Sequence, residues 1–363
     1  HDVETVSELL RAAAALKEPV LLHLNTGTGT GFAPAEKTPQ NFHGIGRFDP
    51  VSGRPASAKA PTFATAFGAE LTRLAETDTR ICAITAAMRQ GVGLDAFSEA
   101  HPARYFDVGI AEGHAVTMAG GLAAQGMIPV VAVYSTSLQR AYDMLLHDVA
   151  LMKLHVVLAV DHTGLVGADG ETHHGAFDVG FLRQIPGMTV FCPANFEELR
   201  VMLRKAVWET SGPVAIRYPT GSEGRYTACT DAPLLREGTD CTLVTYGTLV
   251  NAALGAAELC EKRGISVEIV KLPRIAPLDM QPVLESVKKT GRILVAEETE
   301  DMGCVAADIF AVLEEGGIRA VCARANLGCG FQPHGSIPEL LHRAGLDAEG
   351  LFQKILEVVE REK

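Results

Sequence analysis

The sequence has 363 residues, of which 47% are hydrophobic and 21% are charged, and its formal net charge is −12. This composition is typical of a globular protein with two or three domains, and no apolar run is long enough to cross a membrane. The acidic balance, without any basic cluster, argues against nucleic acid as a partner.

The eight cysteines include no Cys-x-x-Cys pair, and several lie in apolar segments such as "RICAIT". This pattern predicts reduced thiols in a cytoplasmic protein, with neither a disulfide framework nor a zinc site. The N-terminal segment lacks the basic and apolar regions of a signal peptide. Because the sequence does not begin with Met, we expect either a trimmed protein or a piece of a longer polypeptide.

Residues 1–55 predict one helix (3–16), one strand (20–24) and an extended, irregular connector rich in Gly, Pro, Ser and Thr. These elements are too few for a domain, so we expect them to be the end of a domain whose beginning is absent.

The rest of the chain alternates between apolar strands and amphipathic helices. Residues 56–225 predict strands at 81–85, 105–110, 128–134, 155–161, 188–193 and 213–219, and helices at 62–76, 113–125, 137–151 and 195–209. Residues 236–363 predict strands at 241–247, 266–272, 292–298 and 320–324, and helices at 249–263, 303–315 and 347–361. This alternation predicts an α/β fold with parallel sheets covered on both faces, followed by a smaller α/β domain.

Polar side chains gather in the loops that follow the predicted strands of the first region. Ligands of open parallel sheets bind at the carboxyl ends of the strands. At these ends the sequence places Glu112, His114, Tyr134, Ser135, Ser137, Arg140, Asp143, Asp161, His162, Asp169, Glu171, Thr172, His173, His174 and Arg217. Their convergence on adjacent loops predicts a ligand site.

Several of these residues also have a purely structural interpretation. Glu112 suits the first turn of a helix, where the helix dipole favours a carboxylate. Arg140 suits an ion pair along its own helix, and His173 and His174 suit a solvated loop. The spacing of these two histidines from Asp169 also leaves a zinc site open.

Several long motifs occur in a recognisable order: "YFDVGIAEGHAV", "YST", "LQRAYD", "GLVGADG", "THHGAFD" and "GPVAIRYP", with "FHGIGRFDP" before them and "PHGS" after them. In these motifs the sequence resembles the 1-deoxy-D-xylulose-5-phosphate synthase family of transketolase-like thiamine-diphosphate enzymes, over essentially its whole length. The resemblance implies a parallel-sheet pyrimidine-binding domain at 56–230 and a smaller α/β transketolase C-terminal domain at 231–363. Residues 1–55 match only the end of the family's diphosphate-binding domain.

The resemblance also implies a cofactor, thiamine diphosphate, and a Mg²⁺ ion. The family holds the metal through a Gly-Asp-Gly motif in the diphosphate-binding domain, which has no match here, so no metal ligand is expected in this chain. Glu112 would hydrogen-bond the aminopyrimidine ring and activate the cofactor, because a carboxyl group in a desolvated cleft can share a proton with that ring. Ile110, Ser137 and Arg140 would border the cofactor, and His43 would reach its thiazolium centre.

The family decarboxylates pyruvate and joins the remaining fragment to D-glyceraldehyde 3-phosphate, which yields a precursor of isoprenoids, thiamine and pyridoxal. By motif position, Tyr134 and Arg140 line the acceptor site. Asp169 and His173 contact the reacting carbonyl and hydroxyl groups. Arg217 binds the acceptor phosphate, for which a planar guanidinium fork is well suited. The family forms homodimers, so a homodimer is expected, with a separate or cleaved N-terminal portion as a further partner.

Four positions depart from the family pattern. Ser137 replaces a Phe that stacks on the pyrimidine, Gly113 replaces a Gln, and His162 and Thr220 each replace a phosphate-binding Arg. Each charge-assisted hydrogen bond to phosphate contributes about 1.5–3 kcal/mol. Two further hypotheses therefore stay open: a paralogous enzyme with a different or unphosphorylated acceptor, and a non-catalytic scaffold half of a split enzyme. In either case the 363-residue piece alone is expected to be inactive.

Overall fold

The computed structural model describes residues 1–56, 60–230 and 232–361. The chain divides into two compact units, His1–Ala60 and Pro61–Lys363. The predicted domain limits at 231 and 363 lie outside the described residues, and the limits as a whole stay a prediction. Within the described ranges, no helix combines the length and apolar character needed to cross a membrane.

The described residues of the first unit form two α-helices, α1 (Val3–Ala15) and α2 (Ala33–Lys37), and a 3₁₀ turn (Pro39–Phe42). The strand predicted at 20–24 does not form, because the described residues of this unit offer it no strand with which to pair. The connector is less extended than predicted, since three aromatic rings pack with centroids 5.5, 5.8 and 5.6 Å apart: Phe32, Phe42 and Phe48.

The second unit is an α/β structure. Its described strands are β1 (Ile81–Thr85), β2 (Tyr105–Asp107), β3 (Ile128–Tyr134), β4 (Val157–Asp161), β5 (Thr189–Phe191), β6 (Val214–Arg217), β7 (Leu234–Arg236), β8 (Cys241–Thr245), β9 (Val267–Lys271), β10 (Arg274–Ala276), β11 (Arg292–Ala296) and β12 (Val321–Ala325). Its described helices are α3 (Phe63–Thr77), α4 (Asp95–Ala100), α5 (Glu112–Ala124), α6 (Ser135–Leu138), α7 (Tyr142–Met144), α8 (Asp178–Arg183), α9 (Phe196–Trp208), α10 (Val250–Glu261), α11 (Gln281–Thr290), α12 (Val305–Glu315), α13 (Ile337–Ala344) and α14 (Ala348–Glu360).

The first sheet has the strand order β10-β5-β6-β4-β3-β1-β2. All neighbours pair in parallel except β10, which is antiparallel to β5. Side chains of β4 alternate between two cores: Val157 and Ala159 pack with α3 and α9, whereas Leu158 and Val160 pack with α5 and α8. Burial on both faces explains why this strand is apolar at successive positions.

The second sheet has the order β12-β11-β8-β9-β7, with the edge strand β7 antiparallel to β9. Parallel pairs dominate both sheets, so the predicted α/β class is confirmed. The sequence did not predict β10, which follows β9 in the chain but pairs in the first sheet. One apolar core includes side chains of both sheets, among them Val190 and Val244.

The helix predicted at 137–151 is interrupted. The chain forms α6, a 3₁₀ turn (Gln139–Ala141), α7 and a π-helical turn (Leu145–Ala150). The backbone of this segment packs tightly on α5, since a Cβ on Gly120 would lie 2.8 Å from the Asp148 carbonyl oxygen. π-Helical turns are frequent at functional sites, and this one follows the turn that carries Arg140.

Candidate functional site

Glu112 begins α5 at the carboxyl end of the first sheet. The strand predicted at 105–110 ends at Asp107, because the Asp107 carboxylate accepts a hydrogen bond from the Gly109 N–H at 3.0 Å and Gly109 has a φ of +69°. The resulting turn leads directly into the helix, and the Glu112 side chain is 4% exposed. Its carboxylate lies where the helix dipole favours negative charge.

Arg140 provides the one polar contact of Glu112 among the described residues, with 3.5 Å between Nη1 and Oε1. Arg140 does not pair with Asp143, which instead contacts His147 at 3.0 Å. Arg140 is 64% exposed and Ile110 is 82% exposed. A buried carboxylate with a single distant cation, bordered by exposed residues, has free acceptor capacity for a ligand.

Tyr134 and His162 form an aromatic pair at the ends of β3 and β4. Their rings stack with centroids 3.9 Å apart, and His162 has a φ of +58°, unusual for a non-glycine residue. His162 Nδ1 lies 3.0 Å from Asp161 Oδ1. Burial raises the pKa of Tyr134 to about 12, and the charges of Asp161 and Asp169 add to this effect. The positive φ of His162 is a form of backbone strain that concentrates at functional sites.

Asp161 is fully buried. Burial raises the pKa of its carboxyl group, while hydrogen bonds from His162 lower it. Its second oxygen, Oδ2, has no hydrogen-bond partner among the described residues, and the same is true of the buried hydroxyl groups of Ser135 and Tyr218. Unsatisfied buried polar atoms are rare in proteins. Their presence here supports the predicted ligand site at the carboxyl ends of these strands.

Asp169 and His173 lie on a loop between β4 and α8, called loop 163–175 from here on. Asp169 is exposed in a 3₁₀ turn, and His173 is half-buried with Nδ1 2.9 Å from Thr172 Oγ1. His174 is buried: its Nδ1 accepts a hydrogen bond from the Val166 N–H at 3.1 Å, and its Nε2 donates to the Pro333 carbonyl at 3.1 Å.

These contacts occupy both ring nitrogens of His174, so the zinc site left open by spacing is not formed. The group of potential metal ligands that does gather within the described residues lies elsewhere and consists of His342, Asp347 and Glu349. Exposed acidic clusters of this kind are common without any ion.

Arg217 ends β6 and is buried against Asp178. Nε lies 2.8 Å from Oδ2 and Nη2 lies 3.1 Å from Oδ1, and the guanidinium also lies 5.6 Å from the ring centroid of Tyr246. Although burial opposes the charge, the Asp178 carboxylate raises the pKa of Arg217 well above its ordinary value. The fork that the resemblance assigns to phosphate is therefore already engaged by a carboxylate.

Comparisons with known proteins identify the family of this chain. The family profile "Transketolase, pyrimidine binding domain" matches residues 59–223, and "Transketolase, C-terminal domain" matches residues 230–351. The chain belongs to the transketolase-like family.

Curated relatives within this family are 1-deoxy-D-xylulose-5-phosphate synthases. The protein of Desulforudis audaxviator (strain MP104C) is 42% identical over 100% of this chain and 58% of its own length. The protein of Heliobacterium modesticaldum (strain ATCC 51547 / Ice1) is 41% identical over 100% of this chain and 57% of its own length. The chain thus spans less than two thirds of these relatives.

A solved structure in the transketolase family is also similar. It is described as "Split gene transketolase, inactive beta4 tetramer" and has a TM-score of 0.74 and 27% identity. The similarity covers 83% of this chain and 99% of that one.

Two of the predicted site residues, Ser137 and His43, lie in different units of the chain. Ser137 is half-buried in α6, which follows Tyr134 directly. His43 is exposed in the first unit, so its role at the thiazolium stays a prediction. A cavity of about 210 Å³ in the second unit contains none of the predicted site residues; among its lining residues are Phe191, Met202, Lys271 and Leu272.

Two charged residues near the site were not singled out from the sequence. Asp178 pairs with Arg217, and Glu298 accepts a hydrogen bond from the Leu165 N–H at 2.6 Å. Glu298 follows β11 at the carboxyl end of the second sheet. Applying the strand-end rule to both sheets would have identified Glu298, whereas only the fold could pair Arg217 with Asp178.

Proposed function

We propose that this chain provides the pyrimidine-binding and C-terminal parts of a thiamine-diphosphate-dependent 1-deoxy-D-xylulose-5-phosphate synthase. The reaction would be decarboxylation of pyruvate and carboligation to D-glyceraldehyde 3-phosphate. The observation that carries the proposal is Glu112, a nearly buried carboxylate at a helix start whose single polar contact among the described residues is a 3.5 Å ion pair. The similarity to named synthases supports the reaction.

The residues at the carboxyl ends of the strands would have different roles in the reaction. When bound, thiamine diphosphate with its divalent metal supplies a nucleophilic carbon. Glu112 would hold the proton shared with the cofactor's pyrimidine nitrogen, and Arg140 would keep a positive charge close to that carboxylate. Tyr134 would face the acceptor aldehyde. Asp169 and His173, on loop 163–175, would bind its hydroxyl and carbonyl groups.

The test is a pair of Glu to Gln substitutions in the intact protein, or in the chain supplied with its N-terminal portion. With Mg²⁺, thiamine diphosphate and both substrates, Glu112→Gln should lower kcat about 10²–10⁴-fold, the usual contribution of general acid–base catalysis. The exposed Glu99 lies on α4 and is not one of the predicted site residues, so Glu99→Gln is the matched control. Unchanged turnover by Glu112→Gln, or no deoxyxylulose phosphate from the wild type, would refute the proposal.

A second candidate function keeps the chemistry but changes the acceptor. Two family Arg positions are occupied by His162 and Thr220, and the Nε and Nη2 atoms of Arg217 are already hydrogen-bonded to Asp178. These observations favour a small or unphosphorylated aldehyde. Turnover of glyceraldehyde and of its 3-phosphate should be compared in the wild type and in the double variant His162→Arg/Thr220→Arg. If the variant gains no preference for phosphate, this candidate fails.

A third hypothesis concerns assembly. The similar solved structure is described as inactive and tetrameric, which supports the proposal that the 363-residue chain is inactive alone, forms homodimers or higher assemblies, and needs a separate N-terminal portion. Calorimetric titration with thiamine diphosphate and Mg²⁺, before and after mixing with that portion, tests this. Binding only after mixing is expected; binding neither before nor after would favour a scaffold without catalysis.

We also propose a reducing, cytoplasmic location. Within the described residues no disulfide joins any of the eight cysteines, and five of them are buried. This pattern fits a compartment where disulfides do not persist. Microscopy of the tagged protein in its own cells would test this location.

A further inference from the structure

Loop 163–175 is closed at its base. The Gly164 N–H donates to the Gly175 carbonyl at 2.8 Å, and the Gly175 N–H donates to the Gly164 carbonyl at 2.7 Å. Asp169 and His173 therefore lie on a compact loop whose two ends are joined where it leaves the sheet.

The C-terminal half of the chain holds this base. Glu298 Oε1 accepts a hydrogen bond from the Leu165 N–H at 2.6 Å. On the other side of the base, Thr299 Oγ1 donates to the Ala176 carbonyl at 2.8 Å, and the Glu300 N–H donates to the same carbonyl at 2.9 Å. Three consecutive residues after β11 thus contact both ends of the loop.

The contact between Glu298 and the loop is close. A Cβ on Gly164 would lie 2.5 Å from the Glu298 carboxyl carbon, and Gly164 has a φ of +70°. No other residue type fits there without displacing the carboxylate. The tip of the loop also meets the C-terminal half, since a Cβ on Gly170 would lie 2.1 Å from His334 Nε2.

The charged and titratable groups that face Glu298 come from three elements. Arg217 ends β6, Asp178 begins α8 and Tyr246 follows β8. A cavity of about 10 Å³ borders Glu298, Arg217 and Tyr246, with room for about one water molecule. The pKa of Glu298 is raised to about 7. Desolvation is the main cause and Asp178 acts in the same direction, whereas the Leu165 N–H and Arg217 act to lower it.

We propose that Glu298 is a positioning residue through which the C-terminal domain holds loop 163–175 closed, and that closure weakens when its carboxyl group ionises. An ionised carboxylate in this partly buried place is more stable when the loop opens and more water reaches it. The loop then closes more tightly in mild acid than in mild base. The consequence for substrate rests on the proposed function of Asp169 and His173; the opening equilibrium itself does not.

The test is hydrogen exchange at the Leu165 amide, expressed as a protection factor, in the whole chain without substrate. With a carboxyl pKa of about 7 when closed and the ordinary 4.5 when open, the opening equilibrium constant should rise roughly 25-fold from pH 5.5 to pH 8. Glu298→Gln keeps an acceptor oxygen but cannot ionise, so its protection factor should be the same at both pH values.

Two controls separate this effect from general weakening. Thr299→Val removes a hydrogen bond to Ala176 and should lower protection equally at both pH values, so the wild-type pH dependence is kept. Glu300→Gln neutralises a neighbouring carboxylate and should also keep it. A pH-independent wild type, or the same pH dependence in Glu298→Gln, would overturn the proposal. Because no substrate or cofactor is used, either result is independent of whether the synthase activity is found.

Discussion

The buried ion pair between Arg217 and Asp178 allows a quantitative prediction. The side chains are 6% and 0% exposed, and two hydrogen bonds of 2.8 and 3.1 Å join them. Asp178→Ala would leave the buried Arg217 charge without this counterion, because an arginine guanidinium keeps its proton in proteins. Breaking such a pair costs about 3–5 kcal/mol of unfolding free energy. Urea denaturation of the wild type and the variant measures the difference.

Two further variants identify the cause. Arg217→Met combined with Asp178→Leu removes both charges and should recover most of the loss, since buried ion pairs can often be replaced by apolar residues of similar volume. Arg200 and Glu197 form an exposed pair at 2.9 Å, so Glu197→Ala should cost less than about 1 kcal/mol. A loss below about 1.5 kcal/mol for Asp178→Ala, or a double variant no more stable than the single one, would refute the reasoning.

Three other predictions are simpler to measure. Gly187→Ala should lower the unfolding free energy by about 1–2 kcal/mol, because the φ of Gly187 is +75° and nothing else among the described residues opposes a Cβ there. Gly164→Ala should lower it by at least about 1 kcal/mol more, because the added Cβ would also meet Glu298. Equal losses in the two variants would contradict this. Of the eight thiols, the two exposed ones should react rapidly with a thiol reagent at pH 8, since burial raises the pKa of the buried ones; rapid reaction of all eight would contradict it. Hydrogen bonds from Arg80 lower the pKa of Asp78 to about 2, so ionised Asp78 stabilises the fold above pH 4 and this stabilisation is lost toward pH 2. Asp78→Asn should therefore lower the unfolding free energy by about 2 kcal/mol at pH 7 and by less at pH 3. An equal loss at both pH values would contradict the assignment.

Local patterns explain which elements were predictable from the sequence. The β4 segment is a short apolar run, as buried parallel strands are, and the change to small residues after Gly109 indicates the start of α5. The helix α13 was missed although its signals are present: Ser336 and Glu339 form a capping box and Gly345 ends the helix with a φ of +67°. These signals could have been used.

The remaining differences arise from contacts between distant segments. Arg217 and Asp178 are 39 residues apart, and Glu298 is 133 residues from Leu165, so no local pattern relates them. The interrupted helix at 137–151 depends on close packing against Gly120 of another helix. The position of Glu112 was predictable because the local sequence shows a strand followed at once by a helix. Its contact with Arg140 was not predictable, because that contact depends on the 3₁₀ turn that carries Arg140.

The antiparallel strand β10 has a consequence for how the gene could be divided. A fragment ending near residue 230 would lose this strand. The backbone N–H and C=O groups on that side of β5 would then be unpaired, and β5 would become an exposed edge strand. Exposed edge strands of this kind pair with strands of other chains and promote aggregation. The pyrimidine-binding half should therefore be insoluble when expressed by itself, and a natural break in this polypeptide is better tolerated ahead of Pro61, where a compact unit begins.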